Sequence, residues 1–255
     1  MEPRVPAVNT AGAQSTMNVR EIKQKKKRVS QPPSANKGFI AKHPFRCYII
    51  GASQSGKTNL MLNLLSRKDM YKGFFDLIYV LSPTAGKIDK TYNILKLPEQ
   101  NYFKCDPKVL ERILQIQKKI ITNRKKKPPK ILIILDDCIS FTQFMNSQIL
   151  LEFATQSRHY NISMFILSQA YHRVNKSVRL SMSWICFFRS SQKELTVLAE
   201  DFCPAGFSHK QFKKVINKAT AEKYSFLNID LNRPLEERYK RNLQLKNILD
   251  DVNTN

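Results

Sequence analysis

No stretch of this chain restricts the fold as strongly as Gly51-Ala-Ser-Gln-Ser-Gly-Lys-Thr58, which fits the spacing G-x-x-x-x-G-K-[ST]. Before it, Phe45 to Ile50 is an apolar-rich run of strand length. After it, Asn59-Leu-Met-Leu-Asn-Leu-Leu65 has the composition of a helix. Strand, glycine-bracketed loop and helix are the context in which this spacing makes a phosphate-binding loop. The residue types follow from the chemistry. Glycine at both ends lets the loop turn tightly, so that successive backbone N–H groups converge on phosphate oxygens. The helix N-terminus adds positive potential. Lys57 is placed to reach the β- and γ-phosphates, and the Thr58 hydroxyl to hold Mg2+. Gly51, Ala52, Ser53, Gln54, Ser55, Gly56, Lys57, Thr58 and Asn59 are therefore the expected nucleotide-binding residues, with ATP and Mg2+ as cofactors. The competing reading is a Gly-Ser turn before an ordinary helix, and the flanking elements weigh against it.

A second signal lies downstream. Ile131-Leu-Ile-Ile-Leu135 is wholly apolar, largely β-branched, and ends in Asp136-Asp137. Carboxylates at the C-terminal edge of a parallel strand sit where ligands bind in open α/β sheets. With a phosphate loop upstream, Asp136 is expected to hold the metal and Asp137 to orient or deprotonate the attacking water. Two acids that merely cap a helix are the alternative. The strand Ile162-Ser-Met-Phe-Ile-Leu-Ser168 ends at Gln169, an amide that could reach the γ-phosphate or its water.

Two further strands, Asp76–Ser82 and Ser183–Phe188, bring the total to five, alternating with helical spacing at Pro107–Thr122, Phe141–Tyr160 and 191–203. Parts of 208–222 and 234–250 also read as helix. This pattern predicts one three-layer α/β domain over residues 37–255, with a mainly parallel central sheet, helices on both faces and a helical C-terminal segment from about 205. Residues 1–36 are rich in Pro, Ala, Ser and Asn around the basic cluster Lys23–Arg28 and are expected to be a disordered tail.

Charge points to the partner. The chain carries 43 Lys+Arg against 20 Asp+Glu, a net charge of +23. Residues 1–36 hold seven basic and two acidic side chains, so +18 belongs to the expected domain. A domain this positive fits a polyanion such as nucleic acid, the plainer alternative being scattered, solvated lysines. The five cysteines (Cys47, Cys105, Cys138, Cys186, Cys203) include no C-x-x-C pair and read as reduced thiols in a reducing compartment, with no zinc site. His43, His159, His172 and His209 are too dispersed for a metal cluster. No apolar run approaches the length of a membrane span, and the N-terminus lacks a signal-peptide core.

The ordered set Gly51–Thr58, Ile131–Asp137, Ser157-Arg-His-Tyr-Asn-Ile162 and Phe165-Ile-Leu-Ser-Gln169 resembles the additional-strand P-loop ATPases. Within them it is similar to the FtsK/HerA-type DNA-pumping ATPases. It is most similar to the poxvirus-type genome-packaging ATPases of large DNA viruses and their smaller relatives. The likeness covers roughly residues 40–190. It implies that Ile162–Ser168 is a strand inserted between those of Gly51 and Asp136, with Asp76–Ser82 flanking. It also implies a homo-oligomeric ring that threads double-stranded DNA into a preformed capsid, docked on capsid or portal-vertex proteins at a host-cell assembly site. By position, Gly51–Thr58 bind phosphates and Mg2+, Asp136 holds the metal and Gln169 is the sensor. Many relatives carry Glu after the metal-binding Asp, where this chain has the shorter Asp137. A ring also implies an arginine supplied in trans. Arg158 is the expected one, with Arg179 and Arg189 as runners-up and an ordinary surface cation as the alternative. Lys87, Lys90, Lys125, Lys126 and Lys127 are the expected DNA contacts, made without reading sequence. A nucleotide kinase, a helicase and a non-catalytic DNA-binding protein are the rival readings.

Overall fold

Apolar runs bounded by glycine, proline or acid become the central strands of a single sheet in the computed structural model of the chain, which describes residues 30–84, 90–123 and 127–250. The strands are β1 (Arg46–Ile50), β2 (Leu77–Leu81), β3 (Tyr102–Phe103), β4 (Ile131–Asp136), β5 (Ile162–Ser168), β6 (Trp184–Phe188), β7 (Phe226–Asp230) and β8 (Tyr239–Arg241). The helices are α1 (Pro33–Asn36), α2 (Lys57–Ser66), α3 (Pro107–Asn123), α4 (Thr142–Met145), α5 (Gln148–Gln156), α6 (Lys176–Leu180), α7 (Gln192–Phe202), α8 (His209–Ala219) and α9 (Leu235–Arg238).

The sheet order is β3-β2-β4-β5-β1-β6-β7-β8. Pairs from β3 through β6 are parallel, while β7 and β8 run antiparallel. Strand β5 thus lies between the strand that enters the glycine loop and the strand that ends in Asp136, as the resemblance implied. Alternation divides the core. Tyr48, Ile50, Ile133, Leu135, Met164 and Ile166 pack with α3, α5, α7 and α8. Cys47, Ile49, Leu132, Ile134, Phe165 and Leu167 pack with α2. Burial on both faces is why these strands read as continuous apolar runs.

Three expectations are corrected. The packed unit begins at Gln31, not near residue 37. The Ser34 amide donates to the Asp69 carbonyl at 3.0 Å, and Ala35 is fully buried in the α2-side core. The remainder of the expected tail, residues 1–29, lies outside the described residues. The C-terminal segment is not simply helical. Phe226–Asp230 is a fully buried strand that covers the edge of β6, with Trp184 Nε1 donating to Asn228 Oδ1 at 2.6 Å. Helix propensity in this segment yields because an uncovered β6 would leave its backbone groups and apolar side chains in water. The helix expected over Phe141–Tyr160 is broken at Asn146, and Ser147 caps a new start by accepting from the Leu150 amide.

Candidate nucleotide-binding site

Register brings the chemistry to one edge. Asp136 pairs with Leu167 across β4–β5, and Leu167 pairs with Ile49 across β5–β1. Asp136 is therefore two strands from β1, about 10 Å at ordinary strand spacing. The glycine loop follows β1, Asp137 follows β4, Gln169 follows β5 and Arg189 follows β6, all at the C-terminal ends of parallel strands.

The two glycines of the loop are required for different reasons. Gly56 has φ +105, a left-handed conformation in which side chains are strained. Gly51 is required by space: a Cβ there would lie 2.4 Å from Ser55 Oγ and 2.7 Å from Phe188 Cβ. The loop stays tied to both neighbouring strands, the Gly51 amide donating to the Ser168 carbonyl and the Ala52 amide to the Arg189 carbonyl, each at 3.3 Å. Lys57 opens α2 and donates Nζ to the carbonyls of Gly51 at 2.9 Å and Ala52 at 2.8 Å, spanning the loop. Partial burial lowers the pKa of its ammonium, while the charges of Asp136 and Asp137 raise it, so all three belong to one electrostatic site. Asp137 sits in a left-handed turn (φ 54), its amide donating to the Leu167 carbonyl at 3.2 Å. Gln169 is exposed beside it.

A cavity of about 490 Å³ opens on the other side of the loop, lined by Ala52 to Ser55, Arg189 and the segment Ala221–Ser225. Asn59 faces a neighbouring groove with Asn63 and Tyr224 rather than the acidic residues.

Among the described residues, Arg158, Arg179 and Lys127 do not converge on this edge. Arg158 is exposed on the turn Ser157–Tyr160, before β5 begins. The seven residues of β5 put about 23 Å between it and Gln169. Arg158 lies near Arg46, the first residue of β1, whose pKa is lowered first by burial and then by the Arg158 charge. Arg179 is buried, its Nε 2.8 Å from Asp201 Oδ2 and its Nη1 2.9 Å from the Val174 carbonyl, a structural ion pair rather than a side chain free to reach outward. Lys90 is exposed near the nucleotide edge, whereas Lys127 is exposed before β4, at the opposite edge. Lys87, Lys125 and Lys126 lie outside the described residues.

Sequence reasoning passed over Tyr92. Its hydroxyl donates to Asp136 Oδ2, from a turn between β2 and β3 that the sequence presents as mixed and featureless. Tyr224 was missed as well: it sits at φ 64 over the Gly56 backbone.

Glycine loop, opposed carboxylates and the inserted β5 define a P-loop NTPase fold of the additional-strand class. The family description "Poxvirus A32 protein" matches residues 35–230, and the chain belongs to this family. Among relatives, it is 31% identical over 159 residues to the DNA packaging protein OPG160 of Monkeypox virus, covering 60% of this chain and 50% of that one. The chain thus spans about half the length of that relative. Among solved structures, the fold is similar to the genome packaging NTPase B204 from Sulfolobus turreted icosahedral virus 2 in complex with ATP-gammaS. The TM-score is 0.53 at 16% identity, over 80% of this chain and 98% of that one. It is also similar to EssC (ATPases 2 and 3) from Geobacillus thermodenitrificans, with TM-score 0.53 at 13% identity, over 82% and 42% of the two chains. At these identities the solved structures speak for the fold. Among the described residues no helix is long and apolar enough to cross a membrane.

Proposed function

We propose that this chain is an ATPase that drives double-stranded DNA into a preformed viral capsid. The observation that carries the reading is the meeting of Lys57, Asp136, Asp137 and Gln169 on one sheet edge, in a member of the Poxvirus A32 protein family. The DNA-packaging name of its relatives supports the substrate.

The loop amides of Gly51 to Gly56 and the Lys57 ammonium bind the phosphates, with Ala52, Ser53, Gln54 and Ser55 forming the wall and Asn59 the outer rim. The donor set fits a hard divalent cation, since Thr58 offers a hydroxyl and Asp136 a carboxylate whose charge reaches Lys57. Thr58 and Asp136 would hold Mg2+, which when bound neutralises charge on the phosphates. Asp137 orients the attacking water and Gln169 responds to the γ-phosphoryl group. Arg158, about a strand length from its own site, acts in a neighbour's, so the working unit is a homo-oligomeric ring. The basic residues expected as contacts, Lys87, Lys90 and Lys125–Lys127, grip the phosphate backbone without reading sequence. Capsid or portal-vertex proteins are the docking partners, at the host-cell assembly site.

ATPase rate measured with and without duplex DNA, across a salt series, tests this reading. Duplex stimulates turnover, the stimulation fades as salt rises, and Lys57→Ala is inactive in every condition. Turnover indifferent to both DNA and ionic strength would sink the motor reading, and full turnover by Lys57→Ala would sink the site.

A further inference from the structure

Asp136 has a partner that nucleotide binding alone does not require. The turn Lys90–Leu95 connects β2 to β3 and carries Tyr92, which is 1% exposed and shares an apolar cluster with Met61 and Leu64 of α2 and Ile134 of β4. Its hydroxyl donates to Asp136 Oδ2. Tyr102 of β3 sets its ring edge-on to that of Tyr92 at 6.5 Å and donates Oη to the Tyr92 carbonyl at 3.5 Å. A buried phenol is costly to leave unpaired, so this bond selects one orientation of the carboxylate. An ionised carboxylate has about four lone-pair sites, enough to accept the phenol and still present an oxygen to a cation. The other side of the same turn faces solvent, with Lys90 exposed and Ile94 58% exposed.

We propose that Tyr92 is a positioning residue for Asp136. It fixes the orientation of the carboxylate that would hold the metal, and it ties that carboxylate to the Lys90–Leu95 turn, so that metal–nucleotide loading is transmitted to that turn. The proposal rests on the ATPase reading and deepens it.

Tyr92→Phe keeps the buried ring and removes only the hydroxyl. Mn2+ stands in for Mg2+, and its binding is followed by electron paramagnetic resonance in the presence of a non-hydrolysable ATP analogue. Hydrogen exchange of the turn is followed in parallel. The variant binds Mn2+ about tenfold more weakly, the scale of one lost hydrogen bond to a charged group. Its affinity for the metal-free analogue is unchanged. Loading slows exchange over Lys90–Leu95 in the wild type and leaves it unchanged in Tyr92→Phe. Wild-type or tighter Mn2+ affinity in the variant overturns the proposal, as does equal slowing in both proteins. Should the variant not fold, 3-fluorotyrosine at position 92 retains the bond, and its fluorine resonance shifts on Mg2+–analogue loading. A resonance that does not move overturns the proposal equally. A wild type that binds no nucleotide refutes the ATPase reading instead, so the two failures are distinguishable.

Discussion

Gly51→Ala adds one methyl group at the point where β1 enters the phosphate loop, and the structure sets its cost. The new Cβ would lie 2.4 Å from Ser55 Oγ and 2.7 Å from Phe188 Cβ. The serine hydroxyl can rotate away. Phe188 Cβ cannot, because it is fixed to the backbone of β6, which is paired with β1 on one side and β7 on the other. Carbon atoms pack at about 3.5–4.0 Å, so the loop must retreat by about 1 Å. Overpacking of this kind costs about 1–3 kcal/mol. For a domain of this size each kcal/mol lowers Tm by about 2–4 °C. The functional loss is larger than the stability loss suggests, because a displacement of about 1 Å in a positioned site can cost on the order of a hundredfold. Titration with a fluorescent ATP analogue, beside a thermal melt, measures both. Gly73→Ala is the control: its φ is +65 with nothing within 4 Å of the added Cβ. It loses about 1–2 kcal/mol to backbone strain and keeps wild-type nucleotide affinity. If Gly51→Ala binds the analogue as tightly as the wild type, the steric account of this glycine is wrong.

Three other outcomes follow from the same geometry. Arg179→Met leaves the Asp201 carboxylate, 4% exposed, without its cation and lowers stability by about 3–5 kcal/mol in urea denaturation, while R179M/D201L recovers much of the loss. An R179M midpoint equal to that of the wild type would show that the pair is not structural. His43 is held neutral, its pKa lowered from 6.5 to about 4 chiefly by burial, with Nδ1 2.6 Å from Ser163 Oγ and Nε2 2.9 Å from Asn161 Oδ1. Above pH 6.5 its contribution is complete; below it the unfolded chain takes up the proton first, so about 3 kcal/mol is lost as pH falls to about 4. Stability–pH curves of the wild type and His43→Gln diverge in that window, and parallel curves would refute the assignment. Arg158→Ala lowers turnover by about 10³–10⁵ if it completes a neighbour's site. Mixing it with inactive Asp137→Asn subunits then restores turnover, whereas an Arg158→Ala protein with full activity by itself rules out the trans role.

Legibility in the sequence tracked distance along the chain. Phe45–Thr58 and Ile131–Asp137 could be read because each holds a contiguous strand and the turn after it, and the turn is where the chemistry sits. The inserted place of β5 was legible only through the resemblance, since no local signal tells a strand which neighbours it takes. Strand β7 was missed because its burial depends on β6 being open beside it, a fact about the sheet and not about residues 226–230. The basic residues were read as one class, yet Lys90 and Lys127 stand at opposite ends of the sheet, because a loop's side of the sheet is set by the direction of the strand next to it.

By itself the sequence determined the elements: which runs are apolar on both faces, where glycine lets the backbone turn, and which carboxylates end a strand. These are short-range properties of steric allowance and hydrophobic periodicity. Tertiary structure alone decided which groups meet. Parallel register set Asp136 two strands from the glycine loop, and burial of Arg179 against Asp201 removed it from the surface. Packing of the Lys90–Leu95 turn beside α2 brought Tyr92 to the Asp136 carboxylate, a contact between residues 44 positions apart that no local pattern encodes.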